Sequence, residues 1–257
     1  MKFRCIEYEV ASKVATIRFN RPGQLNAMNR QMMDEIIEAL GYIDKAASDD
    51  VVVGVITGAG KAFMAGADIK EYARQTKAQF DAFQVKGRSL YASIEANTKP
   101  IIAAINGYAF GGGFEIALAC DMILARQGAK MGLPEINLNL IPGGGGTQRL
   151  PKKLGINLAN ELIMTGRTVT AEEMHRRGII NHLYSKEEFE SSVEEFAKEL
   201  ANKPADRLKV IKQLVQTAAG GVDLAALCME NAALGTFFQS AEAQAKVQEF
   251  YQSRTSK

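Results

Sequence analysis

The sequence is poor in the residues that build disulfide frameworks and metal centres. Its 257 residues include no tryptophan, three cysteines and two histidines. Cys5, Cys120 and Cys228 lie far apart and form no CxxC pair, which excludes a disulfide framework and argues against a cysteine-ligated zinc site. His175 and His182 leave little material for a histidine-rich metal site or for a Ser/His/Asp triad. We therefore expect a protein without a bound metal.

The sequence also lacks a long hydrophobic run and an excess of either charge. The longest uncharged stretch, Pro100 to Phe114, is too short and too rich in glycine to cross a bilayer. Residues 1–5 lead into an alternating strand pattern without an apolar signal segment. Lysine and arginine number 31 against 29 aspartates and glutamates, whereas nucleic-acid-binding proteins usually carry a basic excess. We expect a cytoplasmic protein that binds neither membrane nor nucleic acid.

Apolar runs of strand length indicate an α/β fold. Such runs are typical of strands that are covered on both faces. They lie at residues 51–56, 100–105 and 122–125. The alternating pattern of residues 7–19 predicts a hairpin before them. Helices are expected after Asn29, a suitable N-cap, and over residues 79–96.

The last part of the chain shows helical patterns only. Amphipathic segments occupy residues 186–202, 204–218 and about 222–252. We therefore divide the chain into an α/β core, residues 1–195, and a helical C-terminal region, residues 196–257. The length of 257 residues fits one large domain with such an appendage.

An internal repeat relates two parts of the α/β core. Residues 56–58 with 62–66 correspond to residues 105–107 with 109–113. In each copy an apolar strand leads through a Thr-Gly or Asn-Gly turn to an Ala-Phe pair and then to small residues. Ala65 and Gly112 each follow the phenylalanine by two positions. The repeat suggests stacked equivalent units, while two separate βα units with ordinary turn chemistry would give the same pattern.

The glycine clusters match no nucleotide-binding motif. A phosphate-binding loop ending at Gly60-Lys61 would need its first glycine at Val55, and a dinucleotide fingerprint over 111–113 would need glycine at Ile116. What remains is small residues at helix N-termini, where unpaired backbone N–H groups favour negative charge. Two such sites facing one point would form an oxyanion hole. Tight turns without a ligand are the alternative.

Two carboxylates stand alone among apolar residues. Glu115 lies within residues 113–119 and Glu135 within residues 131–138, just before the glycines of 143–146. A buried carboxylate is costly without a partner or a purpose. A helix-start glutamate and an exposed loop glutamate would explain the two positions separately. If both acids share one apolar pocket, their pKa values separate, and one can serve as acid and the other as base.

In the order of its motifs, the sequence resembles the crotonase (enoyl-CoA hydratase/isomerase) superfamily over nearly the whole chain. The motifs that carry the resemblance are Asn20-Arg21-Pro22, Leu25-Asn26-Ala27-Met28, Ala62 to Ile69, Asn106 to Glu115, Leu133-Pro134-Glu135 and Ile141 to Leu150. The resemblance implies a spiral of ββα units with a C-terminal helical trimerisation region. It also implies a homotrimer, or a homohexamer built as a dimer of trimers.

The resemblance further implies an acyl-CoA site. The substrate-binding positions would be Ala27, Ala65, Gly66, Ala67, Asp68, Ile69 and Gly112. The backbone N–H groups of Ala65 and Gly112 would bind the thioester oxygen as an oxyanion hole. Members that carry both Glu115 and Glu135 look like hydratases, which add water in a syn manner to trans-2-enoyl-CoA and give 3-hydroxyacyl-CoA. Coenzyme A is then part of the substrate, and no cofactor is expected.

In this mechanism Glu115 activates the water and Glu135 protonates the α-carbon. An enoyl-CoA double-bond isomerase, in which one glutamate shuttles a proton between carbons, is the enzyme alternative. A non-catalytic acyl-CoA-binding or RNA-binding member of the fold is the alternative outside catalysis. Two departures from the family pattern concern the CoA phosphates: Gly23 stands where many members carry lysine, and residues 250–254 lack the Lys-Arg pair of many hydratases.

Overall fold

Two β-sheets build the first part of the chain in the computed structural model, which describes residues 3–72, 76–218, 224–238, 240–242 and 245. Among these residues the strands are β1 (Ile6–Ala11), β2 (Val14–Phe19), β3 (Val53–Gly58), β4 (Ala62–Met64), β5 (Ile101–Ile105), β6 (Tyr108–Phe110), β7 (Met122–Arg126), β8 (Lys130–Gly132), β9 (Val169–Thr170) and β10 (His182–Tyr184). The larger sheet has the order β1-β2-β3-β5-β7-β10 and the smaller one β4-β6-β8-β9.

Helices follow the strands and cover the sheets. They are α1 (Arg30–Lys45), α2 (Ile69–Tyr72), α3 (Lys77–Glu95), α4 (Gly112–Ala119), α5 (Gly146–Leu154), α6 (Ile156–Thr165), α7 (Ala171–Arg176), α8 (Phe189–Ala201), α9 (Ala205–Thr217) and α10 (Leu224–Phe238). Short 3-10 turns lie at Pro22–Gln24 and Glu135–Leu138. Side chains cap the N-termini of α1 and α3. The Asn29 side chain accepts a hydrogen bond from the Met32 N–H, as predicted, and Thr76 forms a capping box with Gln79.

Strands that follow each other in the chain, such as β3 and β4, belong to different sheets, one to the larger and one to the smaller. β3, β5 and β7 pair in parallel in the larger sheet, while β4, β6 and β8 pair in parallel in the smaller one. Helices follow after each pair, so the chain winds as the spiral of ββα units that the resemblance implies. The predicted hairpin is present as the antiparallel pair of β1 and β2.

The internal repeat corresponds to equivalent turns of this spiral. Its two Ala-Phe pairs lie in β4 and β6, which are parallel neighbours with Ala62 opposite Tyr108 and Met64 opposite Ala109. The small residues that follow each Ala-Phe pair therefore lie side by side. This stacking confirms the interpretation of the repeat as equivalent units.

The core lies between the larger sheet and the helices on one of its faces. Every residue of β3 and β5 is buried, as the continuous apolar runs predicted. α1 buries one side, including Met32, Ile36 and Leu40. Ala15, Ile17 and Phe19 of β2 are fully buried on the same core.

The chain divides into two compact units, Met1–Lys203 and Pro204–Lys257. The sequence-based boundary at 195–196 falls inside α8, which stays with the first unit. In the second unit, the Arg207 guanidinium lies over the Phe237 ring at 4.7 Å and joins α9 to α10. The helix predicted over 222–252 is described at Leu224–Phe238, and residues 246–257, including Ser253, lie outside the described residues. No helix in the described ranges is long and apolar enough to cross a membrane.

Candidate active site

A cavity of about 160 Å³ lies where β6, the start of α4 and the 3-10 turn at Glu135–Leu138 meet. It brings together most of the predicted site. Its lining includes Ala65, Gly66, Ala67, Gly112, Glu115 and Glu135. A larger cavity of about 470 Å³ lies on the other face of the larger sheet, between Thr16 and Arg18 of β2 and residues of α8, and contains none of the predicted site residues.

Glu115 is buried on α4 and held by the backbone of the glycine run. Glu115 is only 3% exposed. Its Oε1 accepts hydrogen bonds from the N–H groups of Gly144 and Gly146, both at 2.8 Å. Burial raises the pKa of Glu115, while these N–H donors, Arg149 and Tyr91 act in the opposite direction. The carboxylate is therefore fixed in place and partly compensated for its burial.

The glycines of this loop are required by the close approach of neighbouring side chains, among them Glu115. A Cβ added at Gly144 would lie 2.4 Å from Glu115 Oε2, and one at Gly146 would lie 2.6 Å from Leu133 Cδ1. No side chain fits at either position without moving its neighbours. The run at 143–146 thus holds a carboxylate of the protein by its N–H groups, in the manner of a small anion site.

Glu135 also lines the cavity, but its carboxylate has a different environment from that of Glu115. It begins the 3-10 turn, and its Oε2 is buried without a hydrogen-bond partner among the described residues. Burial raises its pKa to about 7, and the charge of Glu115 adds to the rise. The two acids therefore lie near each other in one apolar pocket, as the sequence suggested, and Glu135 is not an exposed loop residue.

Backbone donors reach the cavity from two adjacent turns. Gly112 is the first residue of α4, so its N–H has no partner within the helix. The N–H of Ala65, however, donates to the Leu25 carbonyl at 3.1 Å. The expected pairing of Ala65 with Gly112 as the oxyanion hole is therefore corrected: Ala65 lines the cavity, but its N–H is already used.

The N–H of Ala67 is the available donor on this turn. Ala67 forms a parallel bridge to Met28, in which Met28 donates to Gly66 at 2.8 Å and Asp68 donates to Met28 at 2.9 Å. Because neighbouring N–H groups alternate in direction along a strand, the Ala67 N–H points away from Met28. It has no acceptor among the residues that the structure describes.

The remaining predicted substrate residues lie outside the described lining of the cavity. Arg21 links two of them, since its Nη2 lies 2.9 Å from Asp68 Oδ2 and its Nη1 donates to the Ala27 carbonyl. Ile69 begins α2. Sequence reasoning missed Tyr91, which lines the cavity beside Glu115, since a buried aromatic on a helix face is usually core.

Known proteins of one family match this chain over nearly its full length. The family model described as Enoyl-CoA hydratase/isomerase matches residues 9–257. The short-chain-enoyl-CoA hydratase of Clostridium acetobutylicum is 33% identical over 255 residues, which cover 99% of this chain and 97% of that protein. A probable enoyl-CoA hydratase of Mycobacterium leprae is 44% identical over 183 residues, 71% of this chain and 70% of its own.

Solved structures that superpose on this chain belong to the same family as its sequence relatives. A crystal structure of an enoyl-CoA hydratase subunit from Geobacillus kaustophilus superposes with a TM-score of 0.91 at 36% identity, covering 98% of this chain and 97% of that one. An enoyl-CoA hydratase structure from Bacillus anthracis has the same TM-score at 34% identity and covers 97% of each chain. Since the motifs, the ββα spiral and these matches all extend through the chain, it belongs to the enoyl-CoA hydratase/isomerase family.

Proposed function

We propose that the protein is an enoyl-CoA hydratase, which adds water in a syn manner to a trans-2-enoyl-CoA and releases a 3-hydroxyacyl-CoA. The observation that carries the proposal is the presence of two carboxylates in one cavity, Glu115 buried and Glu135 partly buried. Glu115 is held by two backbone N–H groups at 2.8 Å, whereas Glu135 has an unpartnered oxygen among the described residues and a pKa near 7. Different environments for two acids suit one base and one acid.

The thioester oxygen binds to backbone donors in this proposal. The N–H groups of Gly112 and Ala67 receive the negative charge that develops on this oxygen as water adds to the β-carbon. We assign the second donor to Ala67 because the Ala65 N–H is bonded to Leu25. Each such donor contributes about 3 kcal/mol to transition-state stabilisation in comparable sites.

The two acids move the protons. Ionised Glu115 accepts a proton from the water whose oxygen bonds to the β-carbon, and protonated Glu135 donates its proton to the α-carbon. The carbon–carbon double bond is consumed and no electrons are transferred to a cofactor. Each positioned proton transfer contributes roughly a hundred- to ten-thousand-fold to the rate.

The presence of both acids favours hydration over isomerisation, since a shuttle between two carbons needs a single glutamate. Names of relatives agree, among them the crotonyl-CoA hydratase of Syntrophomonas wolfei, 38% identical over 206 residues. A non-catalytic RNA-binding role has little support from a net charge of +2.

The test is a spectrophotometric assay with crotonyl-CoA that follows the loss of the conjugated thioester absorbance. Glu115→Gln and Glu135→Gln are each expected to lower kcat at least a hundredfold, with acyl-CoA binding retained. Glu187→Gln, which changes an exposed glutamate, is the matched control. Near wild-type rates in both site variants would reject the assigned roles, and isomerised product without added water would favour the isomerase.

A further inference from the structure

We propose that Tyr91 is the positioning residue for Glu115, holding the carboxylate oxygen that the Gly144–Gly146 loop leaves free. The proposal rests on the proposed function, in which Glu115 is the base, and adds a residue of α3 to the site. None of the sequence motifs of the resemblance contains Tyr91.

Tyr91 lies on α3 and lines the same cavity as the carboxylate. It is 4% exposed, and a Cβ at Gly144 would lie 2.4 Å both from its ring and from Glu115 Oε2. Its Oη would lie 3.2 Å from a Cβ at Gly112. The ring edge and Oε2 therefore both border the space beside Gly144, and the hydroxyl lies close to the first residue of α4.

The division of donors on Glu115 gives Tyr91 its role. Both loop N–H groups bond to Oε1, which leaves Oε2 on the side of the tyrosine. The Tyr91 hydroxyl interacts with the carboxylate and lowers its pKa, while burial and the charge of Glu115 raise the pKa of Tyr91 well above its usual 10. The phenol thus stays protonated and remains a donor to the charged form of Glu115.

A second contact on α3 keeps Tyr91 in place. Glu95, one helical turn further on, binds Arg149 through two contacts of 2.6 and 2.7 Å. Arg149 in turn donates to the Gly144 carbonyl at 2.6 Å and lies 5.6 Å over the Tyr91 ring. Glu95 and Arg149 therefore tie α3 to the same loop that holds Oε1, so both sides of the carboxylate are fixed by one connected structure.

The test is Tyr91→Phe, which keeps the ring and removes only the hydroxyl. We expect kcat on crotonyl-CoA to fall about tenfold with KM changed less than twofold, because a donor to a charged group is lost. The acidic limb of the kcat–pH profile should move up by about one pH unit. Tyr108→Phe, at an exposed tyrosine outside the cavity, should change neither quantity.

A readout without turnover separates this proposal from the proposed function. The pKa of the Glu115 carboxyl, followed by NMR of ¹³C-glutamate-labelled protein and assigned with Glu115→Gln, should be higher in Tyr91→Phe than in wild type. Wild-type protein that hydrates no enoyl-CoA would reject the proposed function but leave this comparison intact. An unchanged Glu115 pKa, or a loss confined to KM, would overturn the role of Tyr91.

Discussion

At the residue scale, the environment of Glu135 lowers the free energy of unfolding at neutral pH. Its Oε2 is buried without a partner among the described residues, and its pKa is raised from 4.5 to about 7, chiefly by burial. Between these two pH values the folded chain binds more protons than the unfolded chain at this position. The free energy of unfolding therefore decreases as pH rises through this window.

Glu135→Gln should consequently stabilise the protein at pH 8 and have little effect near pH 4.5. We expect a gain of about 1–2 kcal/mol above pH 7, less than the full shift implies because the side chain is partly exposed. Urea unfolding of both proteins at the two pH values measures it. Glu187→Gln provides the comparison, and a variant that is less stable than wild type at pH 8 would contradict the argument.

The sequence predicted the acids at this scale, but not the direction of every backbone donor. Glu115 and Glu135 stood out because a lone carboxylate among apolar residues is costly. The Ala65 N–H donates to Leu25 because N–H direction depends on local dihedrals, and Gly66 has a φ of +104° that turns the backbone between Ala65 and Ala67. Tyr91 gave no signal, since its contact with Glu115 joins residues that are distant in the sequence.

At the element scale, the site depends on how closely α4 approaches β4. A Cβ at Gly113 would lie 2.1 Å from the Met64 carbonyl oxygen, so this glycine allows the start of α4, with Gly112 and Glu115, to pack against the strand. The contact is with backbone, which cannot rotate away as a side chain can.

Gly113→Ala should therefore destabilise the protein by about 1–3 kcal/mol, the usual cost of overpacking. Activity should fall as well, because Gly112 and Glu115 would move with the helix. Gly41→Ala in α1 is the matched change, because a Cβ there meets nothing within 4 Å, and it should stabilise by about 0.5–1 kcal/mol. Chemical denaturation of both variants tests the pair, and equal effects of the two changes would refute the close-packing argument.

Elements with a strong local signal were predicted well. The strands at 51–56, 100–105 and 122–125 agree with β3, β5 and β7 within two residues, because an apolar run reports burial on both faces. The smaller sheet was missed, since strands of two or three residues are too short for periodicity.

At the scale of the whole molecule, the site is a product of the spiral. Parallel pairing of β4 with β6 sets the small residues after each strand side by side, and these provide Ala67 from one turn and Gly112 from the next. Glu135 follows β8, which pairs with β6 in the same sheet. Three successive turns thus each contribute one part of the proposed chemistry, which explains why the motifs are spread along the chain.

The second unit carries the prediction of assembly. Exposed apolar side chains on α9 and α10 include Val215, 66% exposed, and Leu234, 63% exposed, and we place them at the subunit interface that the family resemblance implies. We expect three or six copies of the 28.0 kDa chain in sedimentation experiments. Val215→Glu with Leu234→Glu should yield smaller species, because a buried unpaired carboxylate disfavours association. Lys209→Glu, at an exposed polar position of α9, introduces the same charge change and should leave the assembly intact; a monomeric wild type would reject the prediction.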